Sequence, residues 1–250
     1  MVTIDGTEIV EGTTIDGQEV QEITVDSDIV WEAVTIPDSG VSRWEFEEGS
    51  GSTANDSWNE NDGTISDATY TTNSAVGDYA LDFGTDADFY YAEASSASNL
   101  RLNNWSVSIW AYFNGWAAEI NGLIIKGPGD ATNDNYEIRV TSNGATAAFA
   151  DGSNFYTTTG NTSLNTGQYY HLVATYDGST LKIYLDGSED GSNSVSATPA
   201  QTSDSLKIGY EPDNDGDRRH NGLLDDPRVY NKALTATEVS NLYSTGSISG

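Results

Sequence analysis

The stretch YYHLVATYDGSTLKIYLDG, Tyr169 to Gly187, constrains the fold more than any other part of the chain. Two runs of alternating character, Tyr169 to Tyr176 and Leu181 to Leu185, flank Asp177-Gly178-Ser179-Thr180, whose Asp-Gly supplies the positive-φ residue that a tight connection needs. This reads as a β-hairpin. Val173 and Thr175 point to one side while Leu172, Ala174 and Tyr176 point to the other, so both faces carry bulk and the strands belong inside a sandwich. Asp186-Gly187 closes the unit with a second turn signal.

Length leaves the domain count open, because 250 residues suit either two average domains or one large β-sandwich. Charge is more informative. Ten Lys and Arg against 39 Asp and Glu give a net charge of −29, and the lysines are confined to Lys126, Lys182, Lys207 and Lys232. Such self-repulsion weakens a compact state in dilute buffer, whereas molar salt shortens the Debye length to roughly 3 Å and removes most of it. A halophilic protein is the expectation. A calcium-loaded extracellular protein shares the acidity but explains the scarcity of lysine less readily. No basic patch exists to release phosphate counterions, so nucleic acid is not an expected partner. The absence of cysteine excludes disulfides, thiolate metal sites and cysteine nucleophiles. The N-terminus has no basic segment followed by an apolar run, and no stretch approaches the roughly 18 apolar residues of a membrane helix, so membrane insertion is not expected. Release inside an assembled particle such as a virion would reconcile an extracellular role with these features.

Residues 1–36 form a distinct β-rich segment built on an echo: TIDGTE from Thr3, TIDGQE from Thr14 and ITVDSD from Ile23. Three or four very short strands are expected, too few to bury a core unaided. Such a segment borrows partners, either the following domain or copies of itself around a symmetry axis; the second option makes it an attachment and oligomerisation element, expected to be trimeric. IVWEA, Ile29 to Ala33, resembles the closing strand of attachment segments in structural proteins of haloarchaeal tailed viruses. Pro37 and Gly40 punctuate a linker. The main domain, residues 37–250, then begins with an alternating strand in which Val41 and Arg43 oppose Trp44 and Phe46. NNWSVSIWAYF places Val107, Ile109, Ala111 and Phe113 on one face, and no helical periodicity exceeds two turns before the C-terminus.

WEFEEGSG from Trp44, YALDFGTDADFYY from Tyr79, WSVSIWAYF from Trp105, the Tyr169 hairpin, LKIG from Leu206 and NGLLDDPRVYNKALTATEVSNLY from Asn221 resemble the ordered blocks of the laminin-G-like, concanavalin A-like family over residues 41 to 243. The resemblance implies an all-β jelly-roll sandwich of two antiparallel sheets. Pro227 departs from the family pattern, and because proline cannot donate to a ladder its strand should be bulged or at an edge there. Thr235 and Glu238 read as a capping box, with Leu234 and Val239 as a hydrophobic staple, predicting a short helix from Ala236 to Tyr243 that covers one end of the sandwich with Val239, Leu242 and Tyr243 facing in.

Most of the carboxylates form a solvated acidic surface. Two loops rise above that background. Asn55, Asp56, Asn59, Asn61 and Asp62 are rich in oxygen ligands, and the family resemblance implies that this loop approaches Asp225 and Asp226; a structural Ca²⁺ held by Asp56, Asn61, Asp225 and Asp226 is the resulting expectation. An alternative loop carries Asp213, Asp215 and Asp217 but lacks the glycine and glutamate of an EF-hand, and Arg218 and Arg219 supply the competing account of a self-neutralised turn. Asp130, Asn133, Asp134 and Asn135 are a third, less specific cluster. His171 lies within a strand and His220 in an acidic loop, and neither has a neighbouring nucleophile pattern. Nucleophile-elbow and zincin motifs are absent, as is the E-x-D-x-x-E strand that glycosidases of this fold carry, so catalysis is not expected. Trp58, Trp116, Tyr156 and Tyr210 fall in or beside loops, where a ring could stack on a sugar or simply pack.

The combined expectation is a non-enzymatic virion surface protein of a halophilic virus, a decoration, turret or fibre, displaying a lectin-like domain for adhesion to a host surface glycan or glycoprotein and contacting other virion proteins through residues 1–36. The alternatives are a carbohydrate-binding module of a cellular haloarchaeal surface protein and a divergent glycoside hydrolase.

Overall fold

A computed structural model describes residues 39–84, 90–95, 97–116, 120–212, 218–246 and 248, together with strand backbones inside residues 1–38. The chain divides into two compact units, Met1–Pro37 and Asp38–Gly250. In the first, β1 (Val2–Ile4) pairs with β2 (Thr7–Ile9), β3 (Thr14–Ile15) with β4 (Gln18–Glu19), and β5 (Glu22–Val25) with β6 (Asp28–Glu32), all antiparallel. Among the described residues there are six strands rather than three or four, because each echo supplies both arms of its own hairpin.

The second unit is a jelly-roll sandwich. Sheet one runs, in spatial order, β10 (Thr69–Thr71), β11 (Ala80–Asp82), β24 (Gly222–Tyr230), β13 (Trp105–Phe113), β18 (Tyr169–Tyr176), β19 (Thr180–Leu185) and β20 (Ser188–Ser194), with β7 (Gly40–Arg43) also pairing β24. Sheet two runs β17 (Phe155–Thr159), β16 (Gly144–Ala150), β15 (Tyr136–Thr141), β14 (Asn121–Lys126), β21 (Leu206–Ile208), β12 (Tyr91–Ala94), β9 (Gly63–Ser66) and β8 (Thr53–Ala54). A two-stranded hairpin, β22 (Tyr210–Glu211) and β23 (Arg218–Arg219), a 3₁₀ turn at Ser98–Leu100 and one helix, α1 (Ala236–Thr245), complete it.

The Tyr169 hairpin folds as its alternation requires. Leu172, Ala174, Tyr176, Leu181 and Ile183 enter the core between the sheets, while Val173 and Tyr184 enter a second cluster on the other face. Asp177 Oδ1 accepts the N–H of Ser179 at 2.8 Å and of Thr180 at 2.7 Å, and Gly178 takes φ +91° in the turn. Val107, Ile109, Ala111 and Phe113 share the core face of β13 as expected. The Val41 strand does not continue its alternation: β7 ends at Arg43, Phe46 turns to φ +59°, and Val41, Trp44 and Phe46 all enter the same core.

Pro227 lies in β24, a central strand, and the sheet accommodates it with a bulge rather than an edge. Ser108 pairs with Arg228 and Trp110 with Asp225, so Asp226 and Pro227 together oppose Ile109. Asp226 takes φ +49°, and the Pro227 carbonyl accepts the Trp44 N–H at 3.0 Å. The capping box of α1 is complete, with the Thr235 hydroxyl accepting from Glu238 N and Glu238 reaching back to the Thr235 N–H. The helix covers the outer face of sheet one rather than an end of the sandwich: Leu234, Val239 and Leu242 pack on Val173, Tyr184, Tyr230 and Trp58. Tyr243, expected to face in, is 41% exposed and stacks on Trp110 at 5.6 Å.

Candidate functional site

The four residues expected to hold calcium carry hydrogen bonds and ion pairs of their own. Asp56 Oδ1 accepts the N–H groups of Arg43 at 2.9 Å and Trp58 at 3.0 Å, and its Oδ2 accepts that of Asn61 at 3.1 Å. Asn61 donates to the Ser42 hydroxyl at 2.8 Å. Asp226 receives Arg43 Nε at 2.8 Å and Arg228 Nε at 3.0 Å, while Asp225 Oδ2 takes the N–H groups of Ala75 and Val76. The two segments approach one another through Arg43, whose backbone N–H donates to Asp56 and whose guanidinium pairs with Asp226. No group of three acidic or histidine side chains converges on a metal position among the described residues. Asp213, Asp215 and Asp217 lie outside the described residues. Asp130 caps its own turn, accepting from Thr132 and Asn133.

The four candidate rings stack on four different partners. Trp58 is 5% exposed and meets Tyr230 edge-on at 5.2 Å beneath α1, so it is a packing residue and not a platform; its loop, 56–61, lines an open polar cavity of about 640 Å³ with residues 97–99. Trp116 gives one face to Phe113 at 5.1 Å. Tyr156 leans on Phe149 at 5.1 Å and donates its hydroxyl to Asp151 at 2.8 Å. Tyr210 lies 6.1 Å from Tyr91, tilted by 35°. Both histidines are buried, and burial holds His171 down to about 3 and His220 down to about 4, values that leave them neutral and structural.

The outer face of sheet two holds a constellation that no sequence motif marks. Tyr136, Ile138 and Val140 of β15 point into the core, so Glu137 and Arg139 point outward. Hairpin β22–β23 closes over this face at Gly122, where an added Cβ would meet Glu211 Cβ at 2.5 Å and Glu211 N at 2.7 Å. Glu211 is thereby placed against Glu137, both 1% exposed. Burial, then the Glu211 charge, pushes the Glu137 carboxyl well above the ordinary range, with Arg139 opposing. Asp134 beside them is pushed up to about 6 by burial, even though Gly129 and Ala131 donate to it. Both Glu137 oxygens and Glu211 Oε2 have no hydrogen-bond partner among the described residues.

This pair holds a guanidinium. Arg139 Nε lies 3.5 Å from Glu137 and its Nη1 3.8 Å from Glu211, while Arg218 pairs with Glu211 from the hairpin. Arg139 is 16% exposed, and its Cζ lies 5.0 Å over the Phe155 ring. Along the same face, register places Glu137 beside Ile125, Ile125 beside Lys207, and Lys207 beside Glu93. Tyr91 and Tyr210 stand toward the β12 side of the row and Phe155 on the β17 edge. The face thus offers rings, a fixed planar donor and carboxyl acceptors. The alternation of NYEIRV already separated Glu137 and Arg139 from the core; the contribution of Glu211 depends on a pairing 74 positions away in sequence, which no local signal announces.

A family model described as the concanavalin A-like lectin/glucanases superfamily matches residues 84–240. No curated protein matches the sequence. Among solved structures, domain 4 of AbnA, an extracellular arabinanase from Geobacillus stearothermophilus solved with arabinotriose, is similar at 21% identity and TM-score 0.64, covering 82% of this chain and 98% of that domain. The binding domain of Paraclostridial Mosquitocidal Protein 1 is similar at 14% identity and TM-score 0.67, covering 84% of this chain and 52% of that one. A botulinum neurotoxin type C structure, titled for cell entry through two ganglioside molecules, is similar at 15% identity and TM-score 0.66, covering 84% of this chain and 52% of that one. The chain spans about half the length of these toxin domains, and at such identities the likeness establishes the fold alone.

Proposed function

We propose, since the chain belongs to the concanavalin A-like lectin/glucanases superfamily, that it is a non-enzymatic glycan-binding protein whose saccharide lies on the outer face of sheet two. The observation that carries this reading is Arg139: a guanidinium fixed from behind by two buried carboxyls and laid over an aromatic ring. Vicinal sugar hydroxyls accept from such a planar donor, and the C–H faces of the ring sugar pack on Phe155 or on the Tyr91–Tyr210 pair. Glu137 and Glu211 are positioning residues in this account. The E-x-D-x-x-E strand that glycosidases of this fold carry is absent from the sequence, which favours binding over hydrolysis. The arabinotriose and ganglioside named for two similar structures support a saccharide as ligand class. A glycan array probed in molar salt is expected to show binding; no bound saccharide would overturn the reading.

The finer proposal is a surface component of a halophilic virion, adhering to host glycans and assembled as a trimer through residues 1–36. The net charge of −29 supports the saline setting, and the three hairpins of the first unit, each too small to be stable alone, support a segment that needs partners. Deleting residues 1–36 is expected to convert an oligomer to monomers by light scattering in molar salt; an intact oligomer would remove the assembly role.

A further inference from the structure

The outer face of sheet one carries a strip of rings that the saccharide face on sheet two leaves unexplained. Ile109, Ala111, Tyr170, Leu172 and Leu224 point into the core, so Trp110, Tyr112, Tyr169, His171 and Asp225 point outward from β13, β18 and β24. Register sets them in two adjacent rows, Asp225, Trp110 and His171 in one and Leu223, Tyr112 and Tyr169 in the next. Tyr112 meets Tyr169 edge-on at 5.3 Å, and Trp110 lies 4.8 Å from His171. Tyr243 reaches in from the last turn of α1 and stacks on both, 5.6 Å from Trp110 and 6.0 Å from His171.

Tyr243 is the one large apolar side chain that stands exposed among the described residues, yet it is held in place. Gly187, at φ +80°, leaves room for it, since an added Cβ there would lie 3.2 Å from Tyr243 Cβ. A ring open to solvent and fixed on its other sides is a preorganised stacking surface. Across the strip, residues 73–76 are tied down. The Tyr169 hydroxyl donates to the Asn73 carbonyl at 2.6 Å, and Asp225 Oδ2 accepts the N–H groups of Ala75 at 2.8 Å and Val76 at 2.9 Å. Asp225 Oδ1, next to Trp110 in the register, is buried with no hydrogen-bond partner among the described residues. An acceptor in that state calls for a donor, and a ligand hydroxyl is one. Charge narrows the ligand further. Asp82 pairs with Leu223, and Asp186 accepts the His171 N–H at 2.8 Å, so carboxyls flank the rings. Arg228, on the same strand as Asp225, is engaged with Asp226 and the Gly246 carbonyl. An acidic ligand is repelled here, whereas a neutral sugar lays its C–H face on the rings and turns its hydroxyls to the carboxyls.

We propose that this strip is a second saccharide site, selective for sugars without an acid group, on the side of the sandwich opposite the first. It goes beyond the sheet-two reading and shares with it only the ligand class. The outer faces of two packed sheets point away from each other, so a chain with both sites bridges two glycans instead of gripping one twice. The strip has rings and carboxyls but no guanidinium laid open as Arg139 is, so it fills as the weaker step. Isothermal titration of the intact chain in molar salt, with arabinotriose and with the tightest-binding neutral oligosaccharide of a glycan array, counts the sites. Two saccharides per chain are expected. Arg139→Ala should weaken the tighter step, and Tyr243→Ala should weaken the other about three- to tenfold while leaving the tighter one in place. Tyr112→Leu, at the far end of the strip from α1, should weaken the same step and decides the matter if Tyr243→Ala loosens the helix. A uronate-containing counterpart should lose the strip's step; equal filling by it would overturn the selectivity. One site, weakened by Arg139→Ala and untouched by both strip variants, would overturn the strip and leave the sheet-two reading standing. One site that responds only to the strip variants would do the reverse. Binding of neither probe would overturn both.

Discussion

Replacing Trp105 with alanine is expected to cost about 3–5 kcal/mol of folding stability. The indole is fully buried at the start of β13, and three rings close on it: Tyr136 at 5.7 Å, Phe149 at 6.5 Å and Tyr176 at 6.2 Å. Tyr136 and Phe149 belong to sheet two while Tyr176 is its register partner in sheet one, so the ring is the point at which the two layers are keyed together. Loss of the ring opens a cavity that neighbours this rigid cannot fill, since Tyr136 is tied to the Leu100 carbonyl and Tyr176 to those of Val195 and Ala197. Set against total stabilities of about 5–15 kcal/mol, this removes a large share of the margin. Denaturant titration followed by circular dichroism measures the loss, and a change below about 1 kcal/mol would show that this ring cluster does not key the sheets.

The second large effect is expected at Arg228. It is 4% exposed and donates through Nε and Nη2 to Asp226, and through Nη1 to the Gly246 carbonyl at the end of α1 at 2.6 Å. Arg228→Met preserves much of the volume but leaves a buried carboxylate with Arg43 as its remaining ion pair. Removing one partner of a buried pair costs about 3–5 kcal/mol, and the surviving Arg43 contact places this case at the lower end. The double variant Arg228→Met with Asp226→Asn removes the stranded charge and should recover part of the loss. A double-mutant cycle measures the coupling; additive effects would mean that the bulge is held by its backbone and not by the ion pair.

These two sites show which parts of the structure could be read from the sequence. The Tyr169 hairpin, the core face of β13 and the capping box at Thr235 were legible because each depends on residues within about ten positions of one another, and alternation or spacing encodes them directly. Pro227 announced a distortion, and the bulge at Asp226 is its physical resolution in a central strand. What lay beyond reach were pairings between distant segments. Arg43 reads as one more alternating residue, yet it donates to Asp56 and reaches Asp226, 183 positions away. Tyr243 followed a helical pattern that directs it inward, but Trp110 offers a stacking surface at the helix margin. Trp58, Trp116 and Tyr156 lie in or beside loops in sequence yet are packed or half-packed against the sandwich. The charged row on sheet two was hidden for the opposite reason, since its members sit on strands read as structural.

The central claim is that saccharide binds on the outer face of sheet two with Arg139 as the fixed donor. Amide chemical-shift mapping of the labelled intact chain during titration with an array-selected oligosaccharide tests it most directly, with Arg139→Ala alongside. The account predicts shifts concentrated at Tyr91, Glu137, Arg139, Phe155 and Tyr210, and an affinity loss of about tenfold or more in the folded variant. Shifts confined to the cavity of residues 56–61 and 97–99 or to the margin of α1, with Arg139→Ala binding as tightly as the wild type, would contradict it.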